Sequence, residues 1–119
     1  MDCVFCNLSE SDKIVFENDL AYAIKDSHPA TRGHFLIIPK RHSEHYFELT
    51  SDEIKAMFEL SKVVKDYLDQ QYSPDGYNIG FNILEAGGQS LMHTHMHVLP
   101  RYKGDVLHPR GGIRKVAKK

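Results

Sequence analysis

Nothing in the 119 residues approaches the roughly 20 consecutive apolar residues that a bilayer span requires, which excludes a membrane helix. No basic stretch at the N-terminus leads into an apolar one, so no secretory signal is visible and the cytoplasm is the expected location. Cysteine is scarce: Cys3 and Cys6 are the only two, which argues against a disulfide framework. They read as a reduced thiol pair, and a lone Cys-x-x-Cys needs two further ligands before it can hold a metal. Net charge is nearly absent, at −1 for the whole chain, and neither a nucleic acid nor a membrane partner is expected. There is no internal repeat, low-complexity tract or linker, so residues 1–119 are expected to form one domain with one modest core.

What charge there is lies unevenly. Residues 101–119 carry seven Lys/Arg against Asp105 alone, a basic C-terminal tail beside an acidic body. Such a tail reads either as a solvated terminus or as an arm that neutralises a polyanionic substrate.

Short β-like runs open the chain. Ile14-Val15-Phe16 and Leu20 to Ile24 are split by Glu17-Asn18-Asp19 and predict a hairpin. His34 to Ile38 is a third run, stopped by Pro39. From Ser51 to about Tyr72 the residues Ile54, Met57, Phe58, Val64, Tyr67 and Leu68 recur at three- and four-residue spacing. That stripe predicts one long helix with a buried face. Thr50 and Glu53 have capping-box spacing, and Pro74 and Gly76 end the helix. Tyr77 to Leu84 predicts a fourth strand and the segment after it a fifth. The sum is an α+β fold, a five-stranded antiparallel meander with the helix on one face.

The segment His93-Thr94-His95-Met96-His97-Val98-Leu99-Pro100-Arg101 carries most of the information. On a strand its three imidazoles line one side at steps of about 6–7 Å. Metal binding, phosphate chemistry and chance each account for such a row. Upstream stand Asn82 and the turn Gly87-Gly88-Gln89-Ser90, whose backbone N–H groups beside imidazoles suit a phosphate.

Here the chain resembles the histidine triad (HIT) family of nucleotide hydrolases and transferases. That family's signature is His-φ-His-φ-His-φ-φ, with φ apolar, after a Gly-Gln-Ser/Thr turn. Thr94 is the one departure. The resemblance extends through Gly33 to Lys40 and Cys3-Val4-Phe5-Cys6. It implies the HIT-like fold and a two-fold homodimer with a sheet continuous between subunits. It also implies that His95 is the catalytic nucleophile, forming a nucleotidyl-histidine that water hydrolyses. By the same matching, His97 contacts a phosphate oxygen, His34 bonds within the histidine cluster, and Ser90 contacts the phosphate or leaving group. Gln89 and Gly88 belong to the phosphate turn. Asn82, eleven residues before His93, matches a substrate-contacting Asn, and Asp26, eight before His34, matches a ribose-binding carboxylate. Phe5, Leu8 and Ile24 match base-contacting apolar positions.

The family's zinc-bearing bacterial members imply a structural zinc on Cys3, Cys6, His42 and His93, with His45 a rival to His42. Pro100-Arg101 matches an ending common among dinucleoside polyphosphate hydrolases and bacterial members, whereas the phosphoramidase branch typically has Gly-Gly. The implied activity is release of a nucleoside 5′-monophosphate, AMP by family habit, from dinucleoside polyphosphates or related nucleotides. A phosphoramidate hydrolase, a nucleotide-binding module with negligible turnover and a metal-built adaptor are the alternatives.

Overall fold

A computed structural model describes residues 3–10 and 13–116, with the side chains of residues 8–10 and 116 left out. Leu8's base-contact expectation and Lys118 and Lys119 of the tail lie outside what is described. Five strands form one antiparallel sheet: β1 (Ile14–Glu17), β2 (Ala21–Lys25), β3 (Phe35–Pro39), β4 (Gly76–Phe81) and β5 (Met96–Arg101), with helix α1 (Ser51–Tyr72) between β3 and β4. The first three strands follow one another as a meander, but the sheet order is β1-β2-β3-β5-β4. The long α1 crossover carries the chain past the open edge of β3 before β4 is laid down. The last strand then fills the gap between them, pairing with both.

Local chemistry accounts for the elements. Asn18 closes the first hairpin by accepting N–H bonds from Leu20 and Ala21 on its side-chain oxygen, and its amide donates to the Ala56 carbonyl of α1. Thr50 and Glu53 form the capping box in full, the threonine oxygen accepting from Glu53 N–H and the glutamate accepting from Thr50 N–H. Ser73, at φ 49°, turns the chain out of α1 in the left-handed region ahead of Pro74.

The core lies between α1 and one sheet face. Met57, Leu60, Val64 and Leu68 meet Phe35, Ile37, Met96 and Val98 there. Gly33 sits against this helix with φ +92°; a Cβ would stand 3.0 Å from Leu68, so both backbone and space call for glycine. Phe58 departs from the predicted stripe, being 42% exposed beside β4, because Met57 takes the inward position. The opposite sheet face carries a smaller apolar cluster of Phe5, Tyr22, Ile24, Leu36 and Ile38. Among the described residues no helix is long and apolar enough to cross a membrane.

Candidate active site and metal cluster

The histidine segment is not wholly strand. Hydrogen-bonded pairing begins at Met96, so His93 and His95 stand just ahead of β5. Pro39, at the end of β3, has no N–H to continue the ladder, and Thr94 N–H bonds instead to the Ser43 carbonyl at 2.7 Å. The expected row of imidazoles survives as a row of contacts. Phe5 lies edge-on to His93 and His95 at 5.8 and 5.3 Å between ring centroids, and His95 lies 5.1 Å from His97.

Obligate backbone partners assign the proton on each ring. His95 Nδ1 is 2.8 Å from the His93 carbonyl, which can only accept, so Nδ1 carries the proton and Nε2 keeps its lone pair. The Ala30 N–H donates to His34 Nδ1 at 3.0 Å, so His34 donates from Nε2 to His97 Nδ1, 2.9 Å away. His97 is left with Nε2–H as its outward donor. Burial holds the His97 imidazole down to about 4, with His95 and His34 adding to the effect, so it stays neutral near pH 7. Burial also lowers His34, against the opposing pull of Asp26.

His93 donates from Nε2 to the Pro39 carbonyl at 3.0 Å, which frees Nδ1. That nitrogen lies 3.2 and 3.4 Å from the Cys3 and Cys6 sulfurs and 3.1 Å from His42 Nδ1. His42 Nδ1 is in turn 3.7 and 3.1 Å from the same sulfurs. Tetrahedral zinc, with Zn–S near 2.3 Å and Zn–N near 2.0–2.1 Å, sets such donors about 3.3–3.8 Å apart. The four side chains therefore fit zinc in identity, number and spacing. Without a cation, burial and the neighbouring Cys3 push the Cys6 thiol up to about 11. His45 is turned away, its Nδ1 accepting the Phe47 N–H in a local cap.

The remaining expected residues divide. Asp26 spends Oδ1 on the His28 N–H, and its Oδ2 stands 3.4 Å from His34 Nε2, within the histidine cluster. Gln89 is buried with its amide committed: Oε1 accepts from Leu84 N–H, and Nε2 donates to the Glu44 and Leu91 carbonyls. It fastens the turn of residues 87–90 to the loop bearing His42 and has no amide hydrogen left for a ligand. Gly88 has φ +91° and packs beside Asn82, a backbone role. Ser90 and Asn82 are exposed. Arg101 makes a two-pronged bond to Asp105, at 2.7 and 2.8 Å, and a third to Asn78 at 2.6 Å. Its guanidinium, with a backbone N–H from Tyr102, pulls the Asp105 carboxyl down to about 2.

Thr94 and Ser43 went unread as a pair. Both are buried; Thr94 donates to the Ser43 carbonyl, and their hydroxyl oxygens lie 2.8 Å apart. The signal was the polar residue at the triad's usual apolar position, and its partner lies too far along the chain to be seen.

Beside His34 and His97, a cavity of about 610 Å³ lies over the paired strands β4 and β5, with Asn82, Arg101 and the C-terminal residues Gly112 and Ile113 also in its lining.

The HIT domain is matched over residues 7–104. The chain belongs to the HIT family. HIT proteins are nucleotide-binding and generally nucleotide hydrolases. An uncharacterized HIT-like protein of Methanocaldococcus jannaschii is 35% identical over 106 residues, covering 87% of this chain and 81% of its own length. Adenylylsulfatase HINT3 of Arabidopsis thaliana is 31% identical over 117 residues, 96% of this chain and 59% of its own length. Among solved structures, a Zn-bound histidine triad family protein from Mycobacterium smegmatis has a TM-score of 0.81 at 32% identity, covering 91% of this chain and 81% of that one. The HIT fold, one helix with a five-stranded antiparallel sheet, is thus established for the chain.

Proposed function

We propose that this HIT protein hydrolyses nucleotides at the phosphorus attached to the nucleoside, releasing a nucleoside 5′-monophosphate, AMP first of all. The observation that carries the reading is the bond from His95 Nδ1–H to the His93 carbonyl, which leaves His95 Nε2 as a lone pair 5.1 Å, ring to ring, from His97. His95 Nε2 attacks the phosphorus, and the bond to the leaving group breaks with its electron pair. Water then attacks the phosphorus, the N–P bond breaks, and His95 is restored. His97 donates Nε2–H to a non-bridging oxygen, held in that tautomer by His34, while the Ser90 hydroxyl faces the developing charge; the N–H groups of Gly87, Gly88 and Gln89 are spent within the turn on the Leu84 and Glu85 carbonyls. Asp26 takes a ribose hydroxyl, Asn82 borders the leaving group, and the Phe5–Ile24–Leu36 cluster receives the base.

Dinucleoside polyphosphates and nucleoside phosphoramidates are the two substrate classes. The Pro100-Arg101 ending favours the first; the engagement of Arg101 by Asp105 favours the second. Adenylyl sulfate, the substrate class in the Arabidopsis relative's name, belongs on the same panel. Wild type should release AMP from at least one of these, and His95→Ala should lose about 10³-fold or more of that rate. AMP binding without turnover would favour a binding module instead. Retained activity in His95→Ala would overturn the mechanism.

Zinc held by Cys3, Cys6, His42 and His93 would be closed to substrate and serve structure, tying the N-terminal segment to the triad. The chain acts as one domain in the cytoplasm. It forms a two-fold dimer through the unpaired edge of β4, where Tyr46, Phe58 and Phe81 gather. Light scattering should give twice the chain mass, and Phe58→Glu should shift it toward monomer.

A further inference from the structure

Cys3-Val4-Phe5-Cys6 sets an aromatic ring between two thiols. The Cys6 N–H closes this turn on the Cys3 carbonyl and sulfur, at 3.2 and 3.3 Å, and both sulfurs converge on His42 and His93. Of the two residues between them, Val4 is 61% exposed and Phe5 is buried. The Phe5 ring stands edge-on to His93 and His95 and completes the apolar cluster of Tyr22, Ile24, Leu36 and Ile38.

The other members of that cluster are held by the sheet. Tyr22 pairs with Ile38 and Ile24 with Leu36 across β2 and β3. Phe5 belongs to no strand and opens a short 3₁₀ helix, Phe5–Glu10, which cannot hold its own shape in water. Among the described residues, the polar ties of the Cys3–Cys6 turn to the body of the fold run from its sulfurs to the two imidazoles. Thiols are weak hydrogen-bonding groups, and a bound zinc replaces those contacts with coordinate bonds to all four donors. His93 has a second hold, its Nε2–H on the Pro39 carbonyl. The carbonyl that orients His95 is thus anchored on β3, whereas the seat of Phe5 depends on the quartet.

We propose that Phe5 couples the metal quartet to nucleotide binding: zinc seats the Phe5 ring, the base packs on that ring, and each ligand tightens the other. The proposal rests on the reading above for the base's place in the Phe5–Ile24–Leu36 cluster. Coupling between two sites is reciprocal, so the factor by which zinc tightens AMP equals the factor by which AMP tightens zinc. Zinc also acts on KM rather than on kcat, because the backbone partner of His95 is held without it.

The test is a linkage measurement on the full chain, with AMP and zinc as the probes. Calorimetry should show AMP bound about tenfold tighter by zinc-loaded protein than by protein stripped with a chelator. Competition with a chromophoric chelator should show zinc held about tenfold tighter in saturating AMP. Phe5→Ala should bring both factors to about twofold or less while the variant still binds one zinc per chain, with Phe5→Leu between it and wild type. Inorganic phosphate, which engages the histidines but no base site, should leave zinc affinity within about twofold. If the chain turns over, stripping should raise KM about tenfold and leave kcat within about twofold. Equal tightening of zinc by phosphate and by AMP would assign the effect to folding as a whole and overturn the proposal. AMP affinity indifferent to zinc, or coupling undiminished in Phe5→Ala, would overturn it as well. Coupling as described with no AMP released from any substrate would remove the hydrolase reading and leave the proposal standing.

Discussion

Strand β5 turns Met96 and Val98 toward α1 and His97 and Leu99 toward the open face, and the two sets of neighbours differ in kind. Toward the helix, Val98 joins Phe35, Ile37, Val64 and Leu68, and stability there scales with apolar area removed from water. On the other face, buried imidazoles occupy the surface. They are tolerated because ring nitrogens find set partners: the His93 and Pro39 carbonyls, the Ala30 N–H and one another. One face is specified by volume, the other by direction. Volume can be replaced by another apolar side chain at modest cost, whereas a direction belongs to one atom.

That contrast is sharpest in paired substitutions. Leu68→Ala should cost about 2–5 kcal/mol in chemical denaturation while the remaining folded enzyme keeps its kcat. His97→Asn should do the reverse, with a change in stability of about 1 kcal/mol or less and a loss in kcat of about 10²-fold or more. If the two variants moved stability and rate together, the division between the faces would fail.

Next in size is the metal. Purified protein should carry one zinc per chain, and chelation should remove about 3–4 kcal/mol of apparent stability where free zinc exceeds Kd by a hundred- to a thousandfold. Cys6→Ser should abolish that dependence on zinc. Loading the apo protein near pH 7 should release protons, because the raised Cys6 thiol must ionise to bind. His95→Ala should leave zinc content unchanged; loss of zinc in that variant would support a metal-built adaptor.

A pH titration is subtler. The His97 ring, held down to about 4 by burial, should titrate well below an ordinary imidazole. The unfolded chain takes up that proton near pH 6.5, so the folded state binds fewer protons between about 6.5 and 4. Stability from this group is therefore complete above about pH 6.5 and drains away as pH falls toward 4, by about 1–3 kcal/mol in all. His97→Asn should flatten that part of the profile. A His97 resonance titrating near 6.5 would contradict its burial. The smallest effect expected is that of Thr94→Val, about 1 kcal/mol for the lost hydroxyl contacts, since Ser43 keeps the Thr94 N–H on its carbonyl and its own bond to the His45 carbonyl.

The readable and unreadable parts of the sequence follow the same division. Local signals were legible: the capping box of Thr50 and Glu53, the Asn18 turn, the strand periodicities and the end of β3 at Pro39. So was the quartet Cys3, Cys6, His42 and His93, once the family resemblance supplied it, since donor identity survives in a one-dimensional string. Choosing His42 over His45 required knowing that His45 caps a turn of its own. The position of β5 between β3 and β4 depends on how the long crossover is laid, which no local pattern records. Pro39 was visible, but its effect falls on Thr94, 55 residues away in sequence. Phe58 shares the helical spacing of its buried neighbours and differs only in what stands opposite. Arg101 reads in sequence only as part of the Pro-Arg ending: Asn78 becomes its neighbour when β4 and β5 pair, and Asp105, four residues on, through the turn that follows β5.

The most direct test of the account is the mass of the chain during turnover. Rapid acid-free quenching of wild type with an adenosine 5′-phosphoramidate, followed by mass spectrometry, should show one nucleotidyl group added, located on the peptide bearing His95 and absent from His95→Ala. Turnover with no adduct at any time point, or an adduct on another histidine, would contradict the assignment of His95 Nε2 as the nucleophile.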